Sequence, residues 1–101
     1  MSLIRMYQSA VDPADIEAVR RLFEDDVKPA FAAAPGCEGI ELLVGCDENA
    51  GGLVAGMAVS RWVDRASMDA ALESRGVREA LVRILELLRQ EPVTRVFEVT
   101  A

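Results

Sequence analysis

Residues 39–62 read GIELLVGC-DENAGG-LVAGMAVSRW, two β-forming runs joined by a polar, glycine-ended turn. Alternation along the first run puts Ile40, Leu42, Val44 and Cys46 on one face and Glu41 and Leu43 on the other. The turn at residues 47–52 predicts a hairpin. The second run, residues 53–62, is apolar on both faces, which predicts a central strand covered on both sides. The middle of the chain is therefore an antiparallel pair, and the segments on either side decide what it belongs to.

Upstream, residues 3–11 (LIRMYQSAV) predict a strand with Leu3, Arg5, Tyr7 and Ser9 on one face and Ile4, Met6, Gln8 and Ala10 on the other. Asp12 is a good N-cap and Pro13 suits the first position of a helix. Apolar residues at Ile16, Val19, Phe23, Val27 and Ala30 then repeat in steps of three and four, one helical stripe. Pro29 predicts a kink or end near Lys28, with a short continuation to Ala34. Pro35-Gly36 stops that helix.

Downstream, Asp64 caps a second helical region, broken near Ser74-Arg75-Gly76. It resumes with Val77, Leu81, Ile84, Leu85 and Leu88 on one stripe and a Glu79–Arg83 pair on the wet side. Glu91-Pro92 ends it. Residues 93–100 predict a fourth strand, and Pro92 at its start suits a sheet edge. The order βαββαβ is the ferredoxin-like arrangement of an α+β protein, one domain over residues 1–101, with a four-stranded antiparallel sheet and both helices on one face. The opposite face is too apolar to leave in water, so a second copy is expected to cover it.

Composition narrows the functional classes. The chain has 101 residues, 51% hydrophobic, with a formal net charge of −6. A negative balance with dispersed arginines argues against nucleic acid and against an anionic membrane surface. There is no run near the ~20 apolar residues that span a bilayer. The chain has two cysteines and no histidine. No metal site is expected from that set, since zinc normally takes three or four nitrogen or sulfur ligands. Cys37 and Cys46 on one extended strand lie roughly 30 Å apart, far beyond disulfide reach. They read as reduced, mostly buried thiols of a cytoplasmic protein.

Three features together resemble the antibiotic biosynthesis monooxygenase family: the βαββαβ order at this length, Pro35-Gly36-Cys37 before strand two, and Trp62-Val63-Asp64 where strand three meets the next helix. Residues 67–72 (SMDAAL) fit the same pattern. The resemblance covers almost the whole chain. It implies a homodimeric α+β barrel with a pocket between sheet and helices of each subunit. It implies oxygenation of aromatic quinols without flavin or metal. Haem-degrading members use a histidine iron ligand, which this chain lacks. Trp62 matches the family's pocket-lining tryptophan, and Tyr7 falls where several members carry asparagine.

Such chemistry needs a dry apolar box, aromatic walls, and a donor or cation for the substrate anion. Trp62 and Tyr7 are the candidate catalytic residues. Arg5 and Ser60, on the same strand faces, with Phe23 and Met57, are the candidate substrate-binding residues. Each has a plainer reading. Trp62 can anchor a strand-to-helix corner, Tyr7 and Phe23 can be core, Arg5 can be a surface or salt-bridge residue, and Ser60 can be a small spacer. Met57 and Phe23 can fill the pocket rather than line it. No residue is an obvious general base; Glu41 and Glu98 read as strand-face carboxylates. Two functions follow as expectations: a cofactor-independent monooxygenase acting on a small aromatic quinol, or a non-catalytic dimeric module that binds a small apolar ligand or is stress-related.

Overall fold

Asp12 begins the first helical segment as its spacing predicts: its carboxylate accepts a hydrogen bond from the Ala14 N–H at 2.9 Å, and Pro13 follows at the first turn. A computed structural model describes residues 2–101. After strand β1 (Leu3–Val11), a short 3-10 turn (Pro13–Asp15) leads into α1 (Ile16–Leu22). Where a kink is expected, the chain forms a π-helical turn, Phe23–Val27, before α2 (Lys28–Ala32). Pro29 supplies the cause. Its nitrogen has no proton to donate, and its ring crowds the carbonyl one turn back. Widening the preceding turn relieves that crowding, and the Lys28 N–H reaches back to the Phe23 carbonyl.

Gly36 ends this region with φ +84°, and a Cβ there would sit 2.4 Å from the Ser67 Cβ. Only glycine permits that backbone and that close approach. Strands β2 (Cys37–Glu48) and β3 (Val54–Trp62) form the hairpin. The Asn49 side chain closes its turn by accepting from the Gly51 and Leu53 N–H groups. Asp64 caps α3 (Arg65–Glu73) through the Ser67 N–H at 2.8 Å. The break falls at Ser74, whose backbone is extended and whose hydroxyl donates to the Ala71 carbonyl. Helix α4 (Arg75–Leu85) starts directly after it and contains Gly76. Strand β4 is Val93–Glu98.

The sheet order is β2-β3-β1-β4, antiparallel throughout, so β3 is central and β4 an edge, as read from residues 53–62 and Pro92. This is the ferredoxin-like α+β arrangement. Register places Leu3, Arg5, Tyr7, Ser9 and Val11 on one face, opposite Trp62, Ser60, Ala58, Gly56 and Val54. That face carries the core: Val11, Phe23, Val27, Phe31, Trp62, Met68, Val77 and Ile84 pack in one cluster under the helices.

The other face carries Ile4, Met6, Leu43, Met57, Val59, Val93 and Phe97 by the same alternation. Leu43, Val93 and Phe97 are 49%, 52% and 48% exposed. The expected bare apolar face is thus present.

Two expectations need correction. Glu79 does not pair with Arg83: it accepts from Arg75 at 2.8 Å, and Arg83 reaches Asp26 at 3.0 Å. Packing α4 beside the π turn brings Asp26 nearer than the neighbour on the same helix. Cys46 is exposed rather than buried and lies where the β2–β3 register breaks, between Val44 and Glu48; Cys37 is half-buried and both thiols are free. Among the described residues no helix is long and apolar enough to cross a membrane.

Candidate functional site

A cavity lies between the sheet and the helices. Its floor is Tyr7, Ser9 and Val11 of β1, Leu42 and Val44 of β2, and Gly56 and Ala58 of β3. Its roof is Ile16, Val19, Phe23 and Val27 from the first helical region and Leu81, Ile84 and Leu88 from the second. The π turn sets the roof: Phe23 and Val27 are its first and last residues, and both face inward. Leu88 lies beyond the end of α4, yet still lines the cavity. Tight i→i+3 turns through Leu87 and Leu88 carry the apolar stripe onward. That segment is tied to β1 by the Arg89 N–H on the Ala10 carbonyl at 2.8 Å and the Ser9 hydroxyl on the Gln90 carbonyl at 2.7 Å.

The cavity is small, about 40 Å³. An apolar cavity that admits benzene is about 150 Å³. Phe23 and Leu81 are among the side chains that bound it. Met57 borders it from β3, but its side chain alternates to the opposite face, in register with Gln8 and Leu43.

Of the six expected site residues, Tyr7 and Phe23 wall the cavity and Met57 touches its floor. Trp62 does not line it. The indole is 0% exposed, tilted against Phe31 with ring centroids 6.0 Å apart, and its N–H donates to the Ser60 hydroxyl at 2.9 Å. Trp62 and Ser60 thus form a buried pair at the strand-to-helix corner. Arg5 pairs across the sheet with Ser60 and lies over the Tyr7 ring, its Cζ 5.3 Å from the centroid. Tyr7 lines the cavity and Arg5 does not.

Burial pushes the Tyr7 phenol above its usual range; Arg5 opposes the shift and Glu91 adds to it. Tyr7 is therefore a neutral donor at neutral pH. Burial pulls Arg5 down, but a guanidinium remains a cation. Burial also raises the Cys37 thiol, so it is no ready thiolate. Glu41 and Glu98 are exposed, and neither lines the cavity. Among the described residues no group of three carboxylates or thiols is placed to hold a metal ion.

Residues missed by sequence reasoning are Ser9, Leu42, Val44, Ile84 and Leu88. All five sit on core faces already legible from periodicity, but which part of a face stays unfilled depends on helix placement.

The chain's first 83 residues carry most of these features. A family model described as antibiotic biosynthesis monooxygenase matches residues 2–83. No curated protein matches the sequence. Solved structures share the fold at low identity. Rv0793 from Mycobacterium tuberculosis is 20% identical with a TM-score of 0.73, covering 100% of this chain and 97% of its own. A conserved protein from Methanosarcina mazei is 14% identical with a TM-score of 0.78, covering 99% and 94%. A variant of SnoaB, a cofactor-independent oxygenase from Streptomyces nogalater, is 19% identical with a TM-score of 0.73, covering 99% and 94%.

Proposed function

The chain belongs to the antibiotic biosynthesis monooxygenase family, and on that premise we propose that it is a cofactor-independent monooxygenase for a small aromatic phenol or quinol. The observation that supports this most is the apolar cavity walled by Tyr7 and Phe23, with the Arg5 cation against the Tyr7 ring. The phenol loses its proton, and the resulting anion passes electrons to O₂. One oxygen atom enters the ring and the other leaves as water, so the substrate supplies all four electrons. The protein's part is to exclude water, stack the ring and stabilise the anion. Tyr7 donates to the developing anion, and Trp62 holds β3 and the helices at the spacing the cavity needs. The working form is a homodimer joined through the bare sheet face.

Oxygen uptake with a panel of quinols should exceed the spontaneous rate. Removing one donor from a developing anion typically costs about 10²–10³ in turnover. Tyr7→Phe is expected to lose at least ~tenfold with folding unchanged. A flat response of the wild type across the panel removes this reading.

The lack of a histidine and of a nearby base favours one alternative, a non-catalytic dimer that binds a small apolar ligand. It predicts saturable binding of aromatics, followed by Trp62 fluorescence, with no oxygen consumed.

A further inference from the structure

One row of the bare sheet face carries opposite charges at its two ends. Cross-strand register sets Glu41 beside Val59, Val59 beside Met6, and Met6 beside Arg95. The sheet order puts Glu41 on the β2 edge and Arg95 on the β4 edge, with the two apolar side chains between them. Both charged residues are exposed, and neither makes an ion pair among the described residues. Arg20 and Lys28 border the same hollow as Glu41 but pair with Glu17 and Glu24. Glu91 borders the same hollow as Arg95 and forms no ion pair with it.

The two neighbouring rows, read in the same direction, are Gly39, Arg61, Ile4, Phe97 and Leu43, Met57, Gln8, Val93. They add one charge, Arg61, which already lies 3.7 Å from Glu38. The unanswered charges of this face thus sit at the ends of its middle row.

A second copy laid on the face is related to the first by a two-fold axis, so the contact must complement itself. Centred on the middle row, an axis across the strands would set Glu41 over the partner's Glu41 and Arg95 over the partner's Arg95. Like charges would then meet at both edges, which disfavours that arrangement. An axis along the strands turns each row end for end. Glu41 of each copy then meets the partner's Arg95, and Met6 meets the partner's Val59. Leu43 meets the partner's Val93, and Phe97 comes over the partner's Gly39, where a Cβ would find nothing within 4 Å. Sheets pack about 10 Å apart, a gap that a glutamate and an arginine span between them.

We propose that two copies pair about an axis along the strands, held in register by two symmetric Glu41–Arg95 ion pairs between subunits. This rests on the homodimer reading above and gives it an orientation. The charges select a copy of this chain as the occupant, because a row that complements its own reversal is what a two-fold contact requires.

The test is the dimer dissociation constant, measured by dilution calorimetry, for the wild type, Glu41→Arg, Arg95→Glu and the double reversal. Each single reversal puts like charges at both contacts and is expected to raise the constant at least ~tenfold. The double reversal puts opposite charges back and should recover most of that loss. An equimolar mixture of the two single variants should associate more tightly than either alone, since both contacts of the mixed pair join opposite charges. If a reversal fails to fold, Glu41→Gln, Arg95→Gln and their combination form a double-mutant cycle; losses that simply add overturn the pairing. Single reversals that leave the constant unchanged, or a double reversal as weak as the singles, also overturn it, while a dimeric wild type keeps the homodimer reading. A wild type that stays a single chain at every concentration removes both.

Discussion

Trp62→Ala is expected to lose about 3–5 kcal/mol of folding stability, the range for truncating a buried aromatic. The indole has no exposed surface, its ring packs on Phe31, and it stands where β3 turns into α3. Truncation empties a hole beside Phe31 and Met68 and strands the Ser60 hydroxyl. For a domain of this size each kcal/mol lowers Tm by about 4–8 °C, so calorimetry would register the loss easily. Trp62→Phe keeps most of the packing and removes only the N–H bond to Ser60. It should cost about 1–3 kcal/mol, the penalty for one buried group left without a partner. This ordering separates a structural role from a catalytic one. If Trp62→Ala is as stable as the wild type, the corner is not held as described. Activity lost in Trp62 variants has to be weighed against these losses before a chemical role is given to the indole.

Phe23→Ala should show a loss of similar size with an unusual remedy. Phe23 is buried in the π turn and walls the cavity. Its removal costs about 3–5 kcal/mol and joins the space of a phenyl ring to the existing 40 Å³. The sum approaches the ~150 Å³ that stays dry and binds benzene. Benzene at about 100 times its Kd would return ~2.7 kcal/mol. The expected result is a variant with a low Tm that rises with added benzene by more than the Tm of the wild type does. A variant that benzene leaves unmoved would mean that the roof collapses, so the cavity is not held open by the sheet and helices around it.

The faces of the strands were legible from alternation alone. Arg5 and Tyr7 fall on the helix side, Leu43 and Phe97 on the bare side, and β3 is central because it is apolar throughout. Caps at Asp12 and Asp64 were legible because each carboxylate precedes a helix start. Other features depend on packing that no local pattern encodes. Pro29 announced a distortion, but a kinked helix and a π turn both relieve its crowding. Arg83 meets Asp26 across 57 positions of sequence, so helical spacing could not find the pair. Trp62 and Ser60 share a face, yet whether an indole faces a cavity or fills the core is decided by where Phe31 lands. The isolation of Arg5 was hidden for the same reason: the chain has 17 acidic residues, and only the fold reveals that none of them forms an ion pair with it among the described residues.

The account depends most on the uncovered sheet face. Leu43, Val93 and Phe97 stand half-exposed there beside Ile4, Met6 and Val59. Sedimentation equilibrium over a wide concentration range measures the consequence directly. A particle of twice the 11.0 kDa chain mass, persisting into the low micromolar range, is the predicted result. A folded species of single-chain mass at every concentration would contradict it and leave the barrel without its second half.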